Sequence, residues 1–216
     1  MFRRRTSLSL SAAAAALVVA PLLTACGSDA HAGAAAVVDG ERITVSQVQE
    51  KVRAVREAQR ETGQGAQLIR NTEQLTRGTL HGMVFGRVLE KAAEDAGVKV
   101  TRRDVQLARE DAERQLGGAE QLEAMMLQQR AAAPDEVDDM VRVQLLLQKL
   151  GERLGADQRT PQGQEKLRTA LEEASRDMDV TVNPRYGTWD DEQITLADLK
   201  QPWIKEISNP EPLRAA

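Results

Sequence analysis

Cys26 is the residue whose position by itself specifies a chemistry. It is the single cysteine of a 216-residue chain, so it can form no internal disulfide. It stands directly after Leu23-Thr24-Ala25, at the end of an apolar, Ala-rich run over residues 8–23 that three arginines, Arg3 to Arg5, precede. A basic start, an apolar stretch of about sixteen residues and a small-residue junction have the pattern of a signal peptide. Such a stretch is short for a membrane span. A thiol at the first position after the junction has the pattern of a lipobox. The expected chemistry is diacylation of Cys26, which becomes the new N-terminus, and two acyl chains anchor stably where one would be marginal. The plainer alternative is an ordinary secretory signal with an incidental cysteine. Arg4-Arg5 ahead of Leu8 leaves general and twin-arginine export both open.

The remaining candidates for chemistry are weak. The chain holds two histidines, His31 in a small-residue tether and His81 inside a helix without an obvious partner, and no metal site is expected from them. Asp138-Asp139 and Asp190-Asp191-Glu192 could bind a cation weakly, but read first as helix-start charge and a solvated loop. Gly63-Gln64-Gly65 and Gly117-Gly118 lack the Lys and the preceding strand of a phosphate loop. No serine sits in a G-x-S-x-G elbow. No enzyme and no cofactor are expected. The net charge of −4 becomes −7 once residues 1–25 are removed, since they carry three arginines and no acid. Nothing in that balance resembles a nucleic-acid footprint.

Scarce aromatics (2%) and abundant Ala, Leu, Glu, Gln and Arg favour helices over sheet. Ala36-Val37-Val38, then Asp39-Gly40, then a return to Ile43 predicts a strand or tight hairpin. Thr44 with Gln47 predicts a capping box opening a helix over roughly 45–61, striped by Val45, Val48, Val52 and Val55. A second helix should run from about 67 or 72 to Ala96 and close at Gly97. Inside it, Gly78, Gly82 and Gly86 fall in one row. Each costs about 0.8–1 kcal/mol relative to Ala in a helix interior, which implies close approach of another backbone or a local bend or, alternatively, a groove lined by the glycines. Thr101 with Asp104 opens a third helix that Gly117-Gly118 ends, a fourth covers about 119–131, and Pro134 starts a fifth. Met140, Val143, Leu147, Leu150 and Leu154 make the fifth the strongest periodic segment. Thr160-Pro161 opens a sixth, with Leu167, Leu171, Ala174 and Met178 on one side. Val180-Thr181-Val182 then reads as a strand whose one credible mate is the opening strand, because an isolated strand is unstable.

The lipobox, AVVDGERIT running into a helix, AGVKVTRRDV, PDEVDDMVRVQLLLQKL and VTVNPRYGTWD, in that order over about residues 36–190, resemble the SurA N-terminal-like domain. That family includes the SurA/PrsA-type extracytoplasmic chaperones and, more distantly, the trigger-factor C-terminal fold. The resemblance implies a mainly α multi-helix cradle, closed by a small β-sheet from the N- and C-terminal segments, that binds unfolded or partly folded secreted polypeptides without ATP. Larger members carry a parvulin rotamase module before the last helix. Here residues 155–159 alone join the fifth and sixth helices, and the two histidines offer no parvulin-like pair, so prolyl isomerase activity is not expected.

The resulting domain reading is a signal peptide at 1–25, lipidated Cys26 and tether to 35, the helical chaperone domain at 36–190 and a tail at 191–216. The expected partners are secreted chains and, through the anchor, the outer side of the cell membrane. An exposed apolar hollow between the helices would take the guest. Met83, Phe85, Met125, Met126, Met140, Tyr186 and Trp189 are the candidate contacts, the methionines because soft, flexible side chains suit varied partners. The same side chains would be equally at home in a helical core. A dedicated adaptor or structural envelope lipoprotein for one partner is the alternative.

Overall fold

The computed structural model describes residues 33–62 and 72–198, all within a unit that begins at Gly33. Cys26, His31 and Trp203 lie outside the described residues. Strand β1 (Ala34–Val38) turns at Asp39 and Gly40 into β2 (Glu41–Thr44). Both turn residues have positive φ, 51° and 73°, the backbone that an Asp-Gly pair adopts at least cost in a two-residue hairpin. The pairing is antiparallel, from Val38 opposite Glu41 to Ala36 opposite Ile43, with a shift of register between Ala36 and Ala34, which lies opposite Thr44.

Six helices follow among the described residues. Thr44 and Gln47 form the expected capping box at the start of α1 (Val45–Glu61), whose inner stripe is Val48, Val52, Val55 and Gln59. Helix α2 (Thr72–Asp95) is the central member. It buries Leu80, Val84, Val88, Leu89, Ala92 and Ala93 and packs against α1, α5, α6 and β1. Gly97, with φ 70°, closes its C-terminal end. Helix α3 (Arg102–Leu116) starts from a second capping box, Thr101 with Asp104, and stops at left-handed Gly117. After α4 (Ala119–Arg130), a 3₁₀ turn over Pro134–Glu136 leads into α5 (Val137–Leu154), and Gly155 caps it.

The deepest line on α5 is not the predicted row. Val137, Val141, Leu146 and Leu150 are buried, whereas Met140, Val143, Leu147 and Leu154 are half-buried and packed beside them. The helix lies against α2 and α3 as well as α6, so a single stripe cannot describe its apolar surface.

Helix α6 (Pro161–Asp177) brings the chain back, and β3 (Thr181–Val182) pairs with β1, Val182 opposite Ala36 and Thr181 opposite Val37. The sheet order is β2-β1-β3, so the first and last parts of the fold share a central strand. Met178 O accepts from Asp39 N at 2.6 Å, and Asn183 N donates to Ala35 O at 2.9 Å, which extends this closure on both sides. The folded segment does not stop at Asp190. After a 3₁₀ turn at Pro184–Tyr186, β4 (Thr188–Asp190) and β5 (Thr195–Ala197) form an antiparallel hairpin. Likewise Ala34 and Ala35, assigned to the tether from sequence, belong to β1 and are buried.

Candidate functional site

Helix α2 carries the surface where chemistry and packing diverge most. Gly78 and Gly82 are exposed and Gly86 is half-buried. Among the described residues, no atom lies within 4 Å of where a Cβ would stand on any of the three. The close approach of another backbone, expected from the cost of these glycines, is therefore not what they serve. They leave an open strip, flanked on the helix surface by half-buried Phe85 and Met83.

Beside the strip, one row of α2 holds the β4–β5 hairpin. Arg77 Nη2 donates to Leu196 O at 3.2 Å, and its other terminal nitrogen pairs with Asp198. One turn on, His81 Nε2 lies 3.2 Å from Ile194 O. Its ring stacks on Phe85 at 6.0 Å between centroids and meets Trp189 at 5.8 Å. From the far side, Trp189 Nε1 donates 2.8 Å to Ser175 Oγ, which in turn donates 2.5 Å to Asp191. Ser175 is fully buried, so this chain of donors satisfies a hydroxyl that would otherwise cost about 1–3 kcal/mol.

The structure thus brings together Phe85 and Trp189 of the expected contacts. Met83, Met125 and Met140 are half-buried and pack individually against the core, while Met126 and Tyr186 are 8% and 5% exposed. Among the described residues, Leu107 and Leu116 are the exposed large apolar side chains. Helices α1, α5 and α6 pack against α2, while α3 packs against α4 and α5. Two open concavities have charged residues among those that line them. One of about 580 Å³ lies at the α5–α6 turn beside Glu152, Asp157 and Arg159. Another of about 280 Å³ lies between the Asp39 turn and Arg87, Glu90 and Lys91 of α2.

His81, Arg77 and Ser175 are the residues that sequence reasoning missed. His81 looked partnerless because its partners arrive from the end of the chain, more than a hundred residues later. The one available signal was the i, i+4 spacing of Arg77, His81 and Phe85.

Charge fixes the frame around this site. Arg109 of α3 reaches Glu113 at 2.8 Å, Glu123 of α4 at 3.1 Å and Asp138 of α5 at 2.9 Å, and the bonds to Glu113 and Asp138 hold its guanidinium well above its ordinary pKa. Burial alone would lower the Lys51 ammonium, but its hydrogen bond to Glu136 at 2.7 Å and that carboxylate's charge outweigh burial and raise it. No group of three or more His, Cys, Asp or Glu that could hold a metal occurs among the described residues. No helix among them is long and apolar enough to cross a membrane.

Residues 1–112 match the family model of the SurA-like N-terminal domain, a span that takes in β1, β2, α1, α2 and most of α3. No curated protein and no solved structure matches the chain.

Proposed function

The chain belongs to the SurA-like N-terminal domain family, a chaperone-like extracytoplasmic group, and on that premise we propose that it binds unfolded or partly folded secreted polypeptides without ATP while tethered to the outer side of the membrane through Cys26. The observation that carries this reading is the family match over residues 1–112, which contains all of α2. The strip at Gly78, Gly82 and Gly86 is the proposed seat of the guest. A helix without side chains on one face lets an extended backbone approach, and Phe85 and Met83 supply apolar contact at its borders. Of the sequence-derived contacts, these two serve on this face. Met125, Met140 and Trp189 would contribute through the half of each side chain that remains accessible. Met126 and Tyr186 would contribute only if the fold loosened around them.

The membrane tether is testable by itself. Cys26→Ser should move the protein from the membrane to the soluble fraction, and continued membrane retention would count against the anchor. Polypeptide binding is tested by mixing a soluble form lacking residues 1–26 with several unrelated aggregating proteins in equal amounts. Suppressed light scattering across clients supports the chaperone.

A second reading is favoured by one specific observation, that Leu107 and Leu116 are the exposed large apolar side chains among the described residues. A dedicated adaptor would show this economy, because one partner needs one fitted patch rather than a broad greasy surface. Failure with every aggregating client, together with recovery of one envelope protein in a pull-down, would favour it.

A further inference from the structure

Six basic side chains meet around the short loop that joins α2 to α3. Lys99, Arg102 and Arg103 belong to the loop and the first turn of α3, and all three are exposed. The others come from α5 and hold the loop by its carbonyls. Arg142 Nη1 donates to Val100 O at 2.9 Å, Lys149 Nζ to Lys99 O at 3.3 Å and Arg153 Nε to Ala96 O at 3.0 Å. Glu90 neutralises Arg142 and Asp104 neutralises Lys149, each at 3.0 Å. Asp95 is taken by Lys91, and Glu94 lines the concavity beside Asp39. Lys99, Arg102, Arg103 and Arg153 have no acidic partner among the described residues. Local stability does not account for this excess, because the dipole of α3 disfavours cations at its first turn. Exposed Leu107 lies one turn beyond Arg103 on the same face of α3.

Resting on the reading that Cys26 anchors the chain, we infer that this basic end docks on anionic phospholipid headgroups and so fixes how the tethered domain stands on the membrane. Charge complementarity selects that occupant. The chain after residue 25 carries −7, so an anionic bilayer repels it in general and attracts it where cations concentrate. Leu107 beside Arg103 adds the apolar contact typical of an interfacial surface. Gly33 follows Cys26 by seven residues, at most about 25 Å of chain. Such a tether limits distance and leaves orientation free, and the basic end supplies the orientation. Docking by this end directs the C-terminal end of α2 at the bilayer. Gly86 and Gly78 precede Gly97 by eleven and nineteen residues, about 16 and 28 Å along a helix. The proposed guest seat is thereby kept clear of the docked end. Each cation near an anionic surface adds about fivefold in partition. That is enough to orient an anchored domain and too little to retain an unanchored one, so Cys26→Ser still releases the protein.

The chain from Gly27 on contains every described element, so the test uses the form lacking residues 1–26, which separates docking from anchoring. Cosedimentation compares vesicles of equal parts phosphatidylglycerol and phosphatidylcholine with vesicles of phosphatidylcholine alone. The protein should prefer the anionic vesicles by at least about a hundredfold. That preference should vanish in about 1 M salt, where charges are screened beyond about 3 Å. Combining Lys99→Gln, Arg102→Gln and Arg103→Gln should cost about a hundredfold in binding. These side chains lack partners, so the triple variant should melt no lower than the parent. The control combines Arg42→Gln, Arg53→Gln and Arg60→Gln, three exposed arginines of β2 and α1 without ion pairs, and makes the same change in net charge. It should bind the vesicles nearly as the parent does. On anionic vesicles, amides of residues 98–107 should exchange more slowly and those of residues 78–86 as before. Equal binding to both vesicle types, or equal loss in both triple variants, overturns the inference and leaves anchor and chaperone standing. Binding of polyglutamate through Lys99, Arg102 and Arg103, without preference for anionic vesicles, overturns it in favour of an acidic polypeptide partner. Retention of Cys26→Ser on membranes through a high-salt wash overturns the anchor instead, a result on which the vesicle measurement does not depend.

Discussion

Asp104 shows how much one side chain can carry when it closes a cap. Its carboxylate accepts from Thr101 N at 2.8 Å and from Lys149 Nζ at 3.0 Å, and these bonds, the backbone one foremost, push its pKa down from 3.8 to about 2. A depressed carboxylate pKa adds stability that is present above the unfolded value and is lost as pH falls through the folded one. The contribution should therefore be intact above about pH 4 and vanish towards pH 2. Thermal unfolding from pH 5 to 2 should show a shallower acid decline for Asp104→Asn than for the parent. Parallel profiles would remove Asp104 from the list of acid-sensitive contacts. Thr101 and Asp104 were legible as a capping pair because the bond spans three residues. Lys149 was not, since nothing local relates it to Asp104.

At the scale of the element, α2 separates stability from function. An exposed glycine inside a helix costs conformational entropy, and no neighbour fills the space around Gly82. Gly82→Ala should therefore raise stability by about 0.5–1 kcal/mol in a denaturant titration. If the strip seats a polypeptide backbone, the same substitution should weaken guest binding while the midpoint rises. A stabilised variant with unchanged binding would move the guest elsewhere on the molecule. The existence of α2, its C-terminal glycine and its buried face were all visible as periodicity and punctuation. That the glycine row faces open space was not, because periodicity reports which residues share a face and not what lies opposite.

For the molecule as a whole, the decisive contact joins β1 to β3 across nearly 150 residues. Strand β1 is central in its sheet and has Ala35, Ala36 and Val38 buried, so removing β3 uncovers core as well as ladder bonds. Truncation after Asp179 should abolish cooperative unfolding as followed by near-UV circular dichroism. A truncated chain that melts like the parent would refute this closure. The hairpin, the capping boxes, the helix order and even the strand that needed a distant mate follow from sequence, because turn chemistry and amphipathic period act within a few residues. The covering of the apolar faces was decided only in three dimensions. Packing among the six helices buries Met126 and half-buries Met83, Phe85, Met125 and Met140, and the last hairpin delivers Trp189 and two carbonyls to His81 and Arg77. Local spacing cannot encode such contacts, since they depend on which surfaces meet once the ends of the domain have paired.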